Sequence, residues 1–296
     1  MKRFSILGFT ILAIVVRPAS LKALESEPLS RPGIQRVQLV TEVSGVVPGE
    51  PFTVGLRLDP APEHHTYWRG PGIVGVATRL DWNLPAGFSA GKILWPPPTP
   101  ILMAGIGANG FKGPALLLTT ITPPATIAEK KVVLKVRASW MACSVSCNPG
   151  LADLTLALPV AAPGESPPRD EEIAAAFAAA REASPKPAPD SWRFTPRLVA
   201  TDRIELDAVI PGFDVTLAPS LHFFCDDMQI DSDEPQKIEV IDATSGKLRL
   251  TFVRPEFAPK SPKVFSGVLQ CPPAWPGIGS AYVEISTPWA QGTFPE

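Results

Sequence analysis

Two cysteines, Cys143 and Cys147, stand three residues apart, and this spacing suits thiol–disulfide exchange. Their sulfurs can bond if the chain turns back and brings the two Cα atoms roughly 4.4–6.8 Å apart. Closing a loop of about five residues stabilises the folded chain by only roughly 2 kcal/mol. A small, accessible bridge of this kind is often labile and catalytic, but small structural hairpin bridges also occur. Spacing alone therefore leaves a redox-active and a structural bridge both open.

Two further cysteines, Cys225 and Cys271, lie in the last third of the chain. Four cysteines allow three full pairings, and the close spacing of Cys143 and Cys147 favours the pairing 143–147 with 225–271. A bridge between Cys225 and Cys271 would close a loop of about 47 residues and stabilise the fold by roughly 4 kcal/mol. We therefore predict a structural disulfide there, with two free thiols as the alternative.

The cysteines are not accompanied by a spaced set of metal ligands, so we expect no metal and no cofactor. His64 and His65 are adjacent and would point to opposite faces of a strand, which makes a poor chelate. Copper binding would require the fold to bring one of them to the cysteine pair. Five acidic residues of the second half are expected in a solvated loop: Asp226, Asp227, Asp231, Asp233 and Glu234.

Short β-strands must position the cysteine pair, because alternating apolar runs bounded by Pro and Gly dominate the chain. A strand over 132–140 enters the cysteine segment, and Asn148-Pro149-Gly150 is a turn signal before a strand over 154–160. The two cysteines are therefore predicted near the tip of a hairpin. Further strands predicted over 36–43, 52–58, 78–84 and 115–121 indicate a β-sandwich over residues 34–162.

The composition then changes, and residues 163–190 are predicted to form a linker with one helix. The helix covers the Ala-rich segment 169–183, whose first turn is acidic as the helix dipole favours, and we interpret it as a spacer packed between domains. Residues 191–296 are again β-rich, with strands predicted over 204–210, 237–241, 247–253, 264–269 and 281–286. This region is long enough for its own core, so we predict an all-β chain of two sandwiches.

The first residues have the pattern of an export signal, with a positive start and an apolar run over 4–16. The run is shorter than the ~20 residues of a membrane-spanning helix. We predict a signal peptide over residues 1–23, with an uncleaved anchor as the alternative, and a periplasmic or otherwise exported protein that is soluble after cleavage. The net charge of −2 argues against a nucleic-acid surface.

A family resemblance adds to these patterns. Cys143 and Cys147, followed by Asn148, Pro149 and Gly150, resemble the cysteine hairpin of the DsbD amino-terminal domain family of thiol:disulfide interchange proteins. The variant is the one shared with copper-sensitivity-suppressor type proteins. Further stretches resemble the same family at 65–72, 82–88, 94–96 and, in its second domain, 222–224.

The resemblance implies immunoglobulin-like sandwiches in which Cys143 and Cys147 are the catalytic residues of a protein-disulfide reductase component. It also implies two kinds of partner: a membrane-embedded thiol electron carrier, and exported thioredoxin-like or disulfide proteins. Tyr67 and Trp68 would form part of a cap loop over the cysteine pair, with core packing as the alternative.

One departure from the family concerns its other domains. Full-length members continue into a membrane domain and a thioredoxin-like domain, whereas this chain ends at Glu296 with neither. We therefore expect a stand-alone module whose electrons come from separate proteins. The alternative function is a non-enzymatic periplasmic binding module held by structural disulfides.

Overall fold

The computed structural model describes residues 24–162 and 165–294, which are mostly β-structure. Their strands form four sheets that pack as two immunoglobulin-like sandwiches, so the predicted all-β fold class is confirmed. The predicted signal peptide lies outside the described residues. Across the part of the chain that the structure describes, no helix combines the length and the apolar character that crossing a membrane would require.

The first sandwich contains eleven strands: β1 (Leu29–Arg31), β2 (Ile34–Thr41), β3 (Phe52–Pro60), β4 (His65–Gly72), β5 (Arg79–Asn83), β6 (Ser89–Leu94), β7 (Thr99–Met103), β8 (Ile106–Phe111), β9 (Ala115–Thr122), β10 (Lys131–Cys143) and β11 (Cys147–Pro159). One sheet has the order β1-β2-β3-β9-β6. The other has the order β11-β10-β4-β8-β7, and β5 also pairs with β10. Apolar side chains from both sheets share one core.

Strand β10 shows how the sequence builds this core. Its buried residues alternate with exposed ones, because successive side chains of a strand point to opposite faces of the sheet. The alternation breaks at the end of the strand, where Ala142 and Cys143 are both buried. Ala142 belongs to the core between the sheets. Cys143 therefore lies on the outer face of the six-stranded sheet and is covered there by other residues.

The second sandwich contains eight strands: β12 (Lys186–Pro187), β13 (Arg193–Ala200), β14 (Arg203–Val209), β15 (His222–Cys225), β16 (Lys237–Asp242), β17 (Lys247–Val253), β18 (Val264–Gln270) and β19 (Tyr282–Pro288). They form two four-stranded sheets in the orders β12-β19-β18-β15 and β13-β14-β17-β16. The core between them is rich in aromatic rings; Phe223 and Phe265, for example, stack with centroids 5.1 Å apart.

The single α-helix of the described residues, α1 (Glu171–Ala183), begins after Asp170, whose side chain accepts a hydrogen bond from the Ile173 amide. Its one buried residue, Phe177, packs against Val40 and Leu118 of the first sandwich. The helix was interpreted as a spacer between the sandwiches. It instead covers the outer face of the five-stranded sheet, since this is where its apolar face finds a partner.

The two sandwiches contact each other through strands β4 and β15. Trp68 and Phe224 meet edge to face with centroids 6.2 Å apart. Arg69 donates hydrogen bonds to Asp226 at 2.7 Å and to Glu284 at 2.9 Å. The acidic cluster expected in a solvated loop is therefore partly engaged in this interface, because the Arg69 guanidinium of the first sandwich pairs with the Asp226 carboxylate.

Candidate redox site

The cysteine hairpin has the geometry that the sequence predicts. Strand β10 ends at Cys143, strand β11 begins at Cys147, and the two residues face each other in register. Their Cα atoms are 4.2 Å apart and their sulfurs are bonded. The turn lies in the three residues between them, where the Ser144 amide donates to the Ser146 carbonyl at 3.0 Å. The register of two neighbouring antiparallel strands therefore brings the two cysteines close enough for their sulfurs to bond.

The predicted turn signal at Asn148-Pro149-Gly150 is wrong in its position, because these residues already belong to β11. Gly150 pairs with Trp140 and lies under its ring, where a Cβ atom on Gly150 would be 2.2 Å from Trp140 Cε2. The glycine therefore permits a close approach of the indole and does not reverse the chain.

The two cysteine residues differ in their exposure to solvent. Cys143 is completely buried, whereas Cys147 is exposed. Cys143 belongs to a small cluster on the outer face of the sheet with Tyr67, Ile101 and Ala108. The sulfur of Met103, at the end of β7, lies 3.7 Å from Cys147 Sγ. An attacking thiolate can therefore reach Cys147, and the cluster shields Cys143 from it.

Tyr67 and Trp68, expected in a cap loop, lie in strand β4 and point to opposite faces of the sheet. Tyr67 packs on Cys143 from the outer face. Trp68 is buried in the core between the sheets and contacts the second sandwich. The expectation of a loop is therefore wrong, because both residues lie within β4, where Tyr67 pairs with Gly110. Only Tyr67 contacts the cysteine pair, and Trp68 has the core-packing role that was the alternative.

Two polar side chains of β4 face the same side as Cys143. His65 is opposite Cys143 in register, and its Nε2 is within hydrogen-bond distance of the Tyr67 hydroxyl, 3.2 Å away. Burial lowers the pKa of His65, and the nearby charges of His64 and Lys112 lower it further. Burial also raises the pKa of Tyr67. Both groups are therefore uncharged at neutral pH, and His65 offers no positive charge to stabilise a Cys143 thiolate.

His64 lies on the other side of the cysteine turn. Its Nε2 is 3.4 Å from Ser144 Oγ and its Nδ1 is 2.9 Å from the Pro62 carbonyl oxygen. These contacts tie the turn to the connection between β3 and β4. Over residues 24–162 and 165–294, no group of three or more His, Cys, Asp or Glu side chains is arranged to hold a metal ion.

The predicted disulfide between Cys225 and Cys271 is wrong in this structure, where both thiols are free and buried. Strands β15 and β18 are neighbours, but Cys225 is opposite Gly267, four residues before Cys271. At the rise of an extended strand, these four residues separate the two cysteines by about 13 Å. This is roughly twice the Cα separation that a disulfide tolerates.

Sequence patterns missed two features of this site. The first is the hairpin β7–β8, whose turn at Ala104 and Gly105 has positive φ at both residues. A short apolar run that ends at a glycine, Ile101 to Gly105, is a hairpin signal that could have been found. The second is the contact of the second sandwich with this hairpin, which depends on tertiary structure and leaves no signal in the sequence.

These features define a class of protein: a two-sandwich β-protein with a disulfide hairpin at one sheet end. Residues 35–159 match the model of the N-terminal domain of the thiol:disulfide interchange protein DsbD, and this part of the chain belongs to that family. The comparison with curated proteins gave no match.

The solved structures include a chain of similar fold, the N-terminal periplasmic domain of ScsB from Proteus mirabilis, which is 17% identical with a TM-score of 0.60. The match covers 91% of this chain and 100% of that chain, so the fold likeness includes both sandwiches. The C-terminal domain of the AgI/II polypeptide BspA from Streptococcus agalactiae has 9% identity and a TM-score of 0.20, with 88% and 97% of the two chains covered. That TM-score is too low to support an argument.

Proposed function

We propose that this chain is an exported thiol–disulfide interchange module that passes electrons through Cys143 and Cys147. Its donor would be a membrane-embedded thiol electron carrier, and its acceptors would be exported thioredoxin-like or disulfide proteins. The observation that carries the proposal is the disulfide itself: it lies at a sheet end in a DsbD N-terminal domain, and one of its cysteines is exposed while the other is buried.

Reduction of the module begins at the exposed sulfur. A donor thiolate attacks Cys147 Sγ, the bond to Cys143 breaks, and Cys143 leaves as a thiolate that takes up a proton. The donor's second thiolate then attacks the donor sulfur that is bonded to Cys147 in the mixed disulfide. This releases reduced Cys147 and leaves the donor oxidised to a disulfide. Two electrons and two protons have then moved to the module.

Delivery to an acceptor reverses the roles. The Cys147 thiolate attacks the acceptor disulfide, and a mixed disulfide forms while one acceptor sulfur leaves as a thiol. Cys143 is next to Cys147 in the hairpin and attacks Cys147 Sγ, which releases the second acceptor thiol and restores the internal bridge. Burial of Cys143 favours this resolving role, because a shielded sulfur meets its neighbour much more readily than a second protein.

The test is a trapping experiment with purified variants. Cys143→Ser leaves the exposed thiol without its resolving partner, so it should accumulate a stable mixed disulfide with an exported thioredoxin-like protein. Cys147→Ser, the matched control, keeps only the buried thiol and should trap little. The proposal fails if neither variant forms a mixed disulfide, since the pair would then be a structural bridge in a binding module.

A further inference from the structure

A loop of the second sandwich holds the parts of the first sandwich that cover the cysteine pair. We call residues Asp231, Ser232 and Asp233 the clamp loop. The Asp233 carboxylate accepts a hydrogen bond from the Gly107 amide at 2.7 Å. The Ser232 hydroxyl donates to the Gly107 carbonyl at 2.7 Å and accepts from the Ile73 amide at 3.0 Å. Both backbone groups of one hairpin residue are thus bound by the other sandwich.

Two glycines allow this close approach. A Cβ atom on Gly107 would be 2.5 Å from the Ser232 carbonyl oxygen, and one on Gly72 would be 2.1 Å from Ser232 Oγ. Any larger residue would displace the clamp loop. The backbone and short polar side chains of the two sandwiches therefore pack closely here, in space that only glycine leaves free.

The clamp loop is itself anchored in the second sandwich. The Asp231 amide donates to the Val253 carbonyl at 2.8 Å, at the end of strand β17. The Asp231 carboxylate accepts from the Asp233 amide at 2.9 Å, which fixes the turn between them. The preceding Ile230 is buried in the second core. The clamp loop therefore fixes the hairpin β7–β8 relative to the second sandwich.

From the clamp loop, two short paths lead to the disulfide. Along the hairpin, Gly107 pairs with Leu102, and the next pair is Met103 with Ile106. Met103 Sδ is the atom 3.7 Å from Cys147 Sγ.

The other path begins at Ile73, two residues before Gly75. A Cβ atom on Gly75 would be 2.1 Å from the Tyr67 ring, so this segment lies directly on the ring. Tyr67 in turn covers Cys143. The two residues that contact the disulfide, Met103 and Tyr67, are therefore each connected to a clamp hydrogen bond through a few residues.

We propose that Ser232 and Asp233 are positioning residues for the Cys143–Cys147 pair. Their hydrogen bonds hold Met103 of the hairpin β7–β8 beside Cys147 and Tyr67 against Cys143, so the second sandwich limits the directions from which a thiolate can reach the exposed Cys147. This inference rests on the proposed exchange at that pair, and it gives the second sandwich a part in the redox chemistry.

The test is the rate at which dithiothreitol reduces the disulfide in the whole chain. The small thiol attacks Cys147 Sγ and leaves as a cyclic disulfide after its second thiol attacks, so no protein partner is needed. Ser232→Ala/Asp233→Ala loses all three clamp hydrogen bonds and should be reduced about five- to tenfold faster, because Met103 and Tyr67 move away from the disulfide more often. Asp233→Asn keeps the acceptor oxygen and should stay within about twofold of the parent.

Two further variants locate the effect. Asp242→Ala removes a comparable carboxylate that accepts from the Thr244 amide at 2.9 Å in a turn of the second sandwich outside the clamp. It should leave the rate unchanged. In a Met103→Ala background the clamp variant should accelerate reduction much less, because the two changes open the same cover.

The clamp proposal is overturned if Ser232→Ala/Asp233→Ala is reduced at the parent rate. It is equally overturned if Asp242→Ala accelerates reduction as much, since general loosening of the second sandwich would then explain the result. Neither outcome bears on partner exchange, which the trapping experiment tests separately. Failure of the clamp and failure of the proposed function can therefore be told apart.

Discussion

The two cysteine pairs of this chain lie at similar places in their sandwiches, but only Cys143 and Cys147 are bonded. In each sandwich, one cysteine ends a strand and the other lies at, or directly beyond, one end of the neighbouring antiparallel strand. In the first sandwich, the register places Cys143 directly opposite Cys147. In the second, it places Cys225 opposite Gly267 and leaves Cys271 beyond the end of the pairing. The register of the strands, and not their adjacency, decides which cysteines can bond.

The environments differ as well. The bridge of the first sandwich is open to solvent at Cys147. The thiols of the second are enclosed, and burial raises the pKa of Cys225 and of Cys271. A thiol that stays protonated is a poor nucleophile. This difference favours the first pair as the place of the proposed redox chemistry, while the second pair packs in a core.

The largest expected effect separates the pairs by activity. Cys147→Ser should lower the rate at which the reduced chain reduces glutathione disulfide by more than about a hundredfold, because only this sulfur is both exposed and paired. Cys225→Ala/Cys271→Ala should keep the rate within about twofold. A stopped-flow assay on both variants checks this, and a large loss in the second variant would break the comparison.

Acid should weaken the second sandwich through His222, which precedes Cys225 by three residues. Burial lowers the pKa of His222 from 6.5 to about 4. The unfolded chain therefore binds an extra proton as the pH falls from 6.5 to about 4, and the free energy of unfolding decreases through that window by about 3 kcal/mol.

His222→Gln cannot take up that proton, so its free energy of unfolding should decrease less between pH 7 and pH 4. Urea titrations of the variant and the parent at both pH values measure the difference. Equal losses in the two proteins would show that His222 does not carry the acid sensitivity.

Reductant should distinguish one bridge from two. Breaking the short loop between Cys143 and Cys147 should lower the free energy of unfolding by about 2 kcal/mol, and Cys143→Ala/Cys147→Ala should then show no further loss in dithiothreitol. A bridge between Cys225 and Cys271 would add about 4 kcal/mol to the reductant effect and persist in that variant. Urea denaturation with and without dithiothreitol measures how much the free energy of unfolding decreases on reduction, and so distinguishes one bridge from two.

The smallest expected effect concerns the free thiols as packing groups. Cys225→Ala or Cys271→Ala removes one buried sulfur and should cost about 1 kcal/mol, as other small core truncations do. Because the thiols are separate, the two losses should add in the double variant. Urea titrations of the three variants measure this, and a double variant no less stable than either single one would show that the cysteines act as a unit.

The sequence was sufficient for the parts of the molecule governed by local pattern. The alternation of β10 and the three-residue spacing of Cys143 and Cys147 predict the hairpin and its pairing, because a short connection between antiparallel strands fixes their register. Strand β4 was missed, since the Gly and Pro residues of its second half disguise a strand whose burial comes from the tertiary fold.

Long-range pairing was beyond the same patterns. The register of β15 and β18 is set by how their side chains fill the second core across 38 intervening residues, from 226 to 263. Loop-entropy arithmetic gives the value of a bridge between Cys225 and Cys271 but not whether the strands allow it. The clamp contacts of Ser232 and Asp233 were hidden for the same reason, because an acidic stretch has the same composition whether water or another sandwich covers it.

The reduction potential of the Cys143–Cys147 pair shows most directly whether its disulfide exchanges with partner thiols. The potential is measured by equilibrating Cys225→Ala/Cys271→Ala, which retains only this pair, in glutathione or dithiothreitol buffers. We predict a value above about −300 mV, within the range of disulfides that exchange with partner thiols. A value below about −300 mV would show that the bridge is structural and does not exchange with partner thiols.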